Sequence, residues 1–122
     1  MGLFGNLFGS GGSLSKNPSA EVHETSMNFD LANVRIFLER LSENRGIGLD
    51  TEALAGFAAE TEIGEEREMR ATAEIDGQPA PFRFGVFMDD IDAPDVYFVS
   101  GDESLIAAIR AEFHEFCEEL EI

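Results

Sequence analysis

His114, Cys117 and Glu118 stand at i, i+3 and i+4, a spacing that puts three metal-ligating side chains on one side of an α-helix. The chemistry they would support is metal-assisted hydrolysis, making a metal-dependent enzyme one reading of the chain. The zincin signature, however, needs His where Glu118 stands, and the other histidine, His23, is distant in sequence. Phe113 and Phe116 in the same turns mark the segment as a core-filling helix, with Cys117 semi-buried and His114 at its boundary. The expectation is no metal site, no cofactor and no catalytic residue.

Asp89, Asp90, Asp92 and Asp95 offer hard oxygen ligands of the kind that hold Ca²⁺. Read as an EF-hand loop from Asp90, Pro94 falls on the third ligand position and Asp95 where glycine is required, so the motif fails and a solvated turn is expected. There is no Gly-x-Ser-x-Gly elbow, no phosphate-loop Gly-Lys and no Gly-x-Gly-x-x-Gly. Carboxylates are so numerous that some pair must fall at glycosidase spacing, and such a pairing carries no information.

What remains is the acidity itself. Twenty-five Asp and Glu stand against eight Lys and Arg, for a formal net charge of −17. Such a surface repels nucleic acid and anionic lipid and attracts basic partners at long range; it also serves solubility or salt tolerance. Between Arg83 and Arg110 there is no basic residue, while Asp89, Asp90, Asp92, Asp95, Asp102 and Glu103 accumulate. Together with Glu112, Glu115 and Glu119 on the far side of the last helix, they are the candidate acidic face for a basic protein partner.

These residues need elements to hold them. Met69, Ala71, Ala73 and Ile75 alternate with polar residues, and across Asp76-Gly77 Phe82, Phe84, Val86 and Met88 alternate with Arg83, Gly85 and Phe87, which predicts a hairpin with one buried face. Pro79 and Pro81 cannot donate to a ladder and mark either a longer loop or an open sheet edge. Val96–Val99 reads as a third strand, and residues 22–27 as a fourth, edge strand. Leu31, Val34, Phe37, Leu38 and Leu41 predict a helix capped by Asn28 or Asp30 and closed by Gly46. Residues 50–64 fit both helix and strand, and the Ala-rich composition favours helix. Ser100-Gly-Asp-Glu103 matches a capping box opening a last helix, with core stripe Leu105, Ile109, Phe113, Phe116 and Leu120. The predicted fold is α+β: a three-stranded, or four-stranded, antiparallel sheet covered on one face by two or three helices.

Residues 1–20 differ in kind. Leu3, Phe4, Leu7 and Phe8 would share one side of a short helix, followed by a Gly- and Ser-rich linker. The expectation is a flexible tail that anchors on a partner groove or makes weak membrane contact, ahead of one acidic domain over residues 21–122. With Cys117 the only cysteine, no basic leader and no spanning apolar run, the chain is expected in the cytoplasm. The leading functional expectation is a non-enzymatic domain, such as an inhibitor, immunity protein or nucleic-acid mimic, that occupies a basic surface without binding nucleic acid directly. The alternative is a chaperone-like or adaptor subunit that docks mainly through apolar contacts.

Overall fold

The structure, a computed structural model, describes residues 23–120; the predicted tail, with Leu3, Phe4, Leu7 and Phe8, lies outside them. The elements are β1 (His23–Asn28), α1 (Leu31–Arg45), α2 (Thr51–Glu60), β2 (Glu66–Ile75), β3 (Gln78–Phe87), β4 (Asp95–Ser100) and α3 (Glu103–Leu120). The strands form one antiparallel sheet in the order β1-β4-β3-β2. The ambiguous segment after Asp50 is thus a helix and the segment from His23 an edge strand.

The β2–β3 hairpin closes on the pair Ile75 and Gln78 through a two-residue turn, with Asp76 at φ 53° and Gly77 at φ 78°. Positive φ at both central positions gives the turn a twist that matches the strands. Pro79 and Pro81 therefore lie within β3 and not in a long loop. They stand ahead of Phe82, where pairing with β4 begins, so their missing N–H groups face the open side of β3.

Strand alternation sends Met27, Ala73, Ala80, Phe82, Phe84, Val86, Val96 and Phe98 into one core with the helices. Phe29, Phe37, Phe113 and Phe116 pack as a cluster whose ring centroids lie 5.3–6.3 Å apart where they meet. Phe57 of α2 meets Phe84 of the sheet at 6.1 Å, and the Arg67 guanidinium covers Phe57 at 4.4 Å. Such offset and edge contacts add to the burial energy of large rings.

Helix ends follow local chemistry. Asp30 accepts from Asn33 N at 2.8 Å to cap α1, and Gly46, at φ 67°, closes it. The start of α3 departs from the capping-box expectation. Its cap is Asp102, which accepts from Leu105 N at 3.1 Å, because Ser100 is still in β4. The Ser100 hydroxyl donates to Pro81 O at 2.8 Å and accepts from Asp102 N at 2.9 Å, fixing the turn from strand to helix. Leu120, expected in the core stripe, is half exposed, and Ile106 is buried instead.

On the opposite face, which none of the described helices covers, Gly85 and Tyr97 are cross-strand partners, and a Cβ on Gly85 would fall within the Tyr97 ring. The ring lies flat across the glycine. Gly85→Ala should therefore cost about 2 kcal/mol, seen as a drop of roughly 10 °C in thermal unfolding. In a Tyr97→Ala background the same change should cost less than about 0.5 kcal/mol, because the obstructing ring is gone.

Candidate functional site

The two sets of carboxylates predicted to act together are separated by the fold. Glu112, assigned to the anionic side of α3 from its sequence position, is fully buried, with 0% of its side chain exposed. It accepts from Arg40 Nε at 2.7 Å, Arg45 Nε at 2.8 Å and Asn44 Nδ2 at 3.1 Å, all on α1. Arg40 also grips Glu119 through both terminal nitrogens at 2.8 Å, and Arg45 donates to Glu115 at 2.6 Å. The Arg40 guanidinium sits 4.9 Å from the Phe116 ring centroid. These three carboxylates thus join α1 to α3, and their charge is largely answered within the chain.

Burial alone would push the Glu112 carboxyl up; the donors from Arg45, Asn44 and Arg40 outweigh it and hold it below the ordinary carboxylate range. Glu119 is held low chiefly by its hydrogen bonds from Arg40.

Asp89, Asp90, Asp92 and Asp95 lie before and at the start of β4, whereas Asp102 and Glu103 lie beyond its other end. Six strand residues, roughly 20 Å, separate the groups. The first group forms an ordered acidic turn: Asp90 Oδ1 accepts from Asp92 N at 2.9 Å, and Asn28 Nδ2 donates to Ala93 O at 2.6 Å and Asp95 Oδ1 at 2.8 Å. Asp89, Asp90 and Asp92 are exposed. Asp102, by contrast, is spent on capping α3.

The acidic turn adjoins the helix-free face of the sheet, where the register brings together residues from all strands. One row runs Ser26, Tyr97, Gly85, Glu68; its neighbour runs Asn28, Asp95, Phe87, Glu66; a third runs Glu24, Val99, Arg83, Arg70. Around Tyr97 these rows enclose a shallow concavity of about 550 Å³ whose walls include Glu24, Glu66, Glu68 and Asp95. Phe87 is 37% exposed at its edge, and Ile91 on the acidic turn is 64% exposed.

At its centre, Tyr97 Oη lies 2.8 Å from Glu68 Oε2 and 3.0 Å from Glu66 Oε2. Arg83 Nη1 donates to both oxygens of Glu68 at 2.7 Å. Those bonds, from Arg83 first and Tyr97 second, hold the Glu68 carboxyl below its usual range. Partial burial, reinforced by donation to Glu68 and Glu66, pushes the Tyr97 phenol well up, so it stays a protonated donor. A phenol has one proton. It serves only one of the two carboxylates at a time, and the cluster has room for another donor.

Glu24, Glu66 and Glu68 were not among the acidic residues picked out from the sequence. Their strand alternation was readable for β2, but which rows β1 and β4 would add to it depends on pairing. Among the described residues, no three His, Cys, Asp or Glu side chains converge to hold a metal ion. His114 Nε2 and Glu118 Oε2 stand 3.6 Å apart on an exposed stretch of α3, with Cys117 half-buried. No described helix is long and apolar enough to cross a membrane. Neither a protein-family model, nor a curated protein, nor a solved structure matches this chain.

The buried clamp is testable by stability. Glu112→Gln should cost about 2–3 kcal/mol near neutral pH, measured by denaturant unfolding. A carboxylate depressed by folding contributes stability that is fully present above the ordinary carboxylate range and lost as pH falls through its lower folded value. The gap between wild type and variant should therefore close below about pH 4.

Proposed function

We propose that this chain is a non-enzymatic binding domain for a basic protein surface, engaged through the helix-free face of the sheet and the Asp89–Asp95 turn. The observation that carries the reading is the cluster at Tyr97, where Glu66 and Glu68 share one phenol proton on an open face. A guanidinium or ammonium from a partner brings the donors and the positive charge that this cluster takes up. Phe87 and Tyr97 offer aromatic surface beside it for the stem or plane of an arginine.

The distribution of charge supports the same face. Arg40 and Arg45 answer two of the three negative charges of Glu112, Glu115 and Glu119, so α3 is a weaker attractor than its composition implies. Glu24, Glu66, Glu68 and Asp95 surround the concavity with Arg83 as the cation lining it, and the acidic turn extends the negative field to its edge. An inhibitor or immunity protein that blocks a basic groove is the sharpest form of this role. The apolar-docking alternative rests on Phe87 and Ile91, and salt separates the two, because screening weakens charge-driven association far more than apolar contact.

The test uses an arginine-rich peptide as probe and two variants with the same change in net charge. Glu66→Gln/Glu68→Gln should weaken binding about tenfold at low salt, whereas Glu115→Gln/Glu119→Gln should change it less than about twofold. Wild-type binding should fall steeply as salt rises. Equal losses from the two variants would show that only total charge matters and would remove the assignment to this face.

A further inference from the structure

Among the described residues β2 is the last strand of the sheet, so one side of its backbone faces outward. Which residues do so follows from the ladder. Met88 N donates to Glu65 O at 2.8 Å, and the pair Ile75 and Gln78 closes the hairpin, so odd-numbered residues of β2 turn their N–H and C=O groups toward β3. The even-numbered ones turn away from it. Glu74 confirms this phase: it exchanges both backbone bonds with Gly48, at 2.8 and 3.0 Å. Gly48 thereby seals one end of the edge, and Glu66, Glu68, Arg70 and Thr72 present the rest, all with exposed side chains. A row of outward N–H and C=O groups is a template for another strand.

The side chains on that row specify what kind of strand. We propose that β2 pairs antiparallel with β2 of a second copy of this chain, about a two-fold axis through Met69, joining the two sheets into one. In this register Glu68 stands directly opposite Arg70 of the second copy, and Arg70 opposite its Glu68, while Glu66 meets Thr72. Both symmetry-related contacts are attractions between opposite charges. Moving the axis one residue toward Glu68 sets Glu68 against Glu68, and moving it one residue toward Arg70 sets Arg70 against Arg70. Like charges directly opposite destabilise a pair, and although the shift toward Glu68 keeps Glu66 opposite Arg70 it adds that repulsion, so the register through Met69 is the one that gives two attractions and no like-charge contact between Glu66 and Thr72.

On the helix side of the sheet the same axis brings Met69 against Met69. Each is half-buried and already packed against the core, so the contact extends apolar burial across the junction. Gly48 confines the pairing to the stretch from Glu66 to Thr72, which makes the contact small and the association weak. Two chains of net charge −17 also repel at long range. Added salt screens that repulsion and strengthens self-association, the opposite sign to binding of a basic partner.

The test is sedimentation equilibrium of the full chain from about 10 µM to about 1 mM, at low and high salt. Thr72→Pro places a ring where the outward N–H stood, without removing a bond to β3, as Pro79 and Pro81 do on the other strand of the hairpin. Arg70→Glu turns both cross-axis attractions into repulsions. Wild type should form a dimer whose population rises with salt, with hydrogen exchange slowed at the amides of Glu66, Glu68 and Thr72. Thr72→Pro should be monomeric, and Arg70→Glu should dimerise at least about tenfold more weakly, each with unchanged circular dichroism. Should Thr72→Pro lose its fold, Arg70→Glu decides. A wild-type chain that stays monomeric to about 1 mM, or a dimer equally strong in a folded variant, overturns the proposal.

Discussion

Glu112 holds two helices together in a chain whose charges otherwise push apart. Removing a carboxylate from water is costly, and only donors on several sides make it tolerable. Arg40, Asn44 and Arg45 supply them from a single face of α1. Because this clamp draws in Glu115 and Glu119 as well, it consumes two of the chain's few cations at the helix layer. The sheet face is left with most of its carboxylates in solvent. Where those arginines are spent decides which carboxylates of the helix layer are answered within the chain, and leaves the others, like those of the sheet face, to solvent.

The sheet face has its own constraint. Tyr97 can lie flat only because Gly85 has no side chain beneath it, and lying flat brings its hydroxyl to Glu66 and Glu68. Bulk on one strand, its absence on the next and charge on the third therefore act as a unit. The result is a floor in which an aromatic ring is tied by its hydroxyl to two carboxylates. Both proposed interactions grow out of this arrangement at different places: the floor faces a cation, and the edge beside it faces a strand.

Periodicity and local chemistry were enough to find most of the elements. Alternation in residues 68–88 is strong because one sheet face is buried under helices and the other meets water. The α1 caps and the Asp76-Gly77 turn were legible because each satisfies backbone groups within a few residues. Legibility failed first where two local motifs competed. Ser100 and Asp102 both suit a helix cap, and only the reach of β4 to Ser100, whose hydroxyl is taken by Pro81 O, leaves the cap to Asp102.

It failed more fully at the charges. Glu112 stands at i+3 from Ile109 and i−4 from Phe116, inside the core stripe of α3, a position that signals burial along the helix itself; what makes a buried carboxylate tolerable there is Arg40 and Arg45, some 70 residues earlier. In the same way, Glu24, Glu66, Glu68 and Asp95 come from separate strands and share a face only through the order β1-β4-β3-β2. The sequence by itself determined the α+β class, the buried face of each strand and the excess of negative charge, since these depend on neighbours along the chain and on composition. Which carboxylates are neutralised and which are presented was decided only by tertiary structure, because an ion pair is a contact between residues that the chain brings together from far apart.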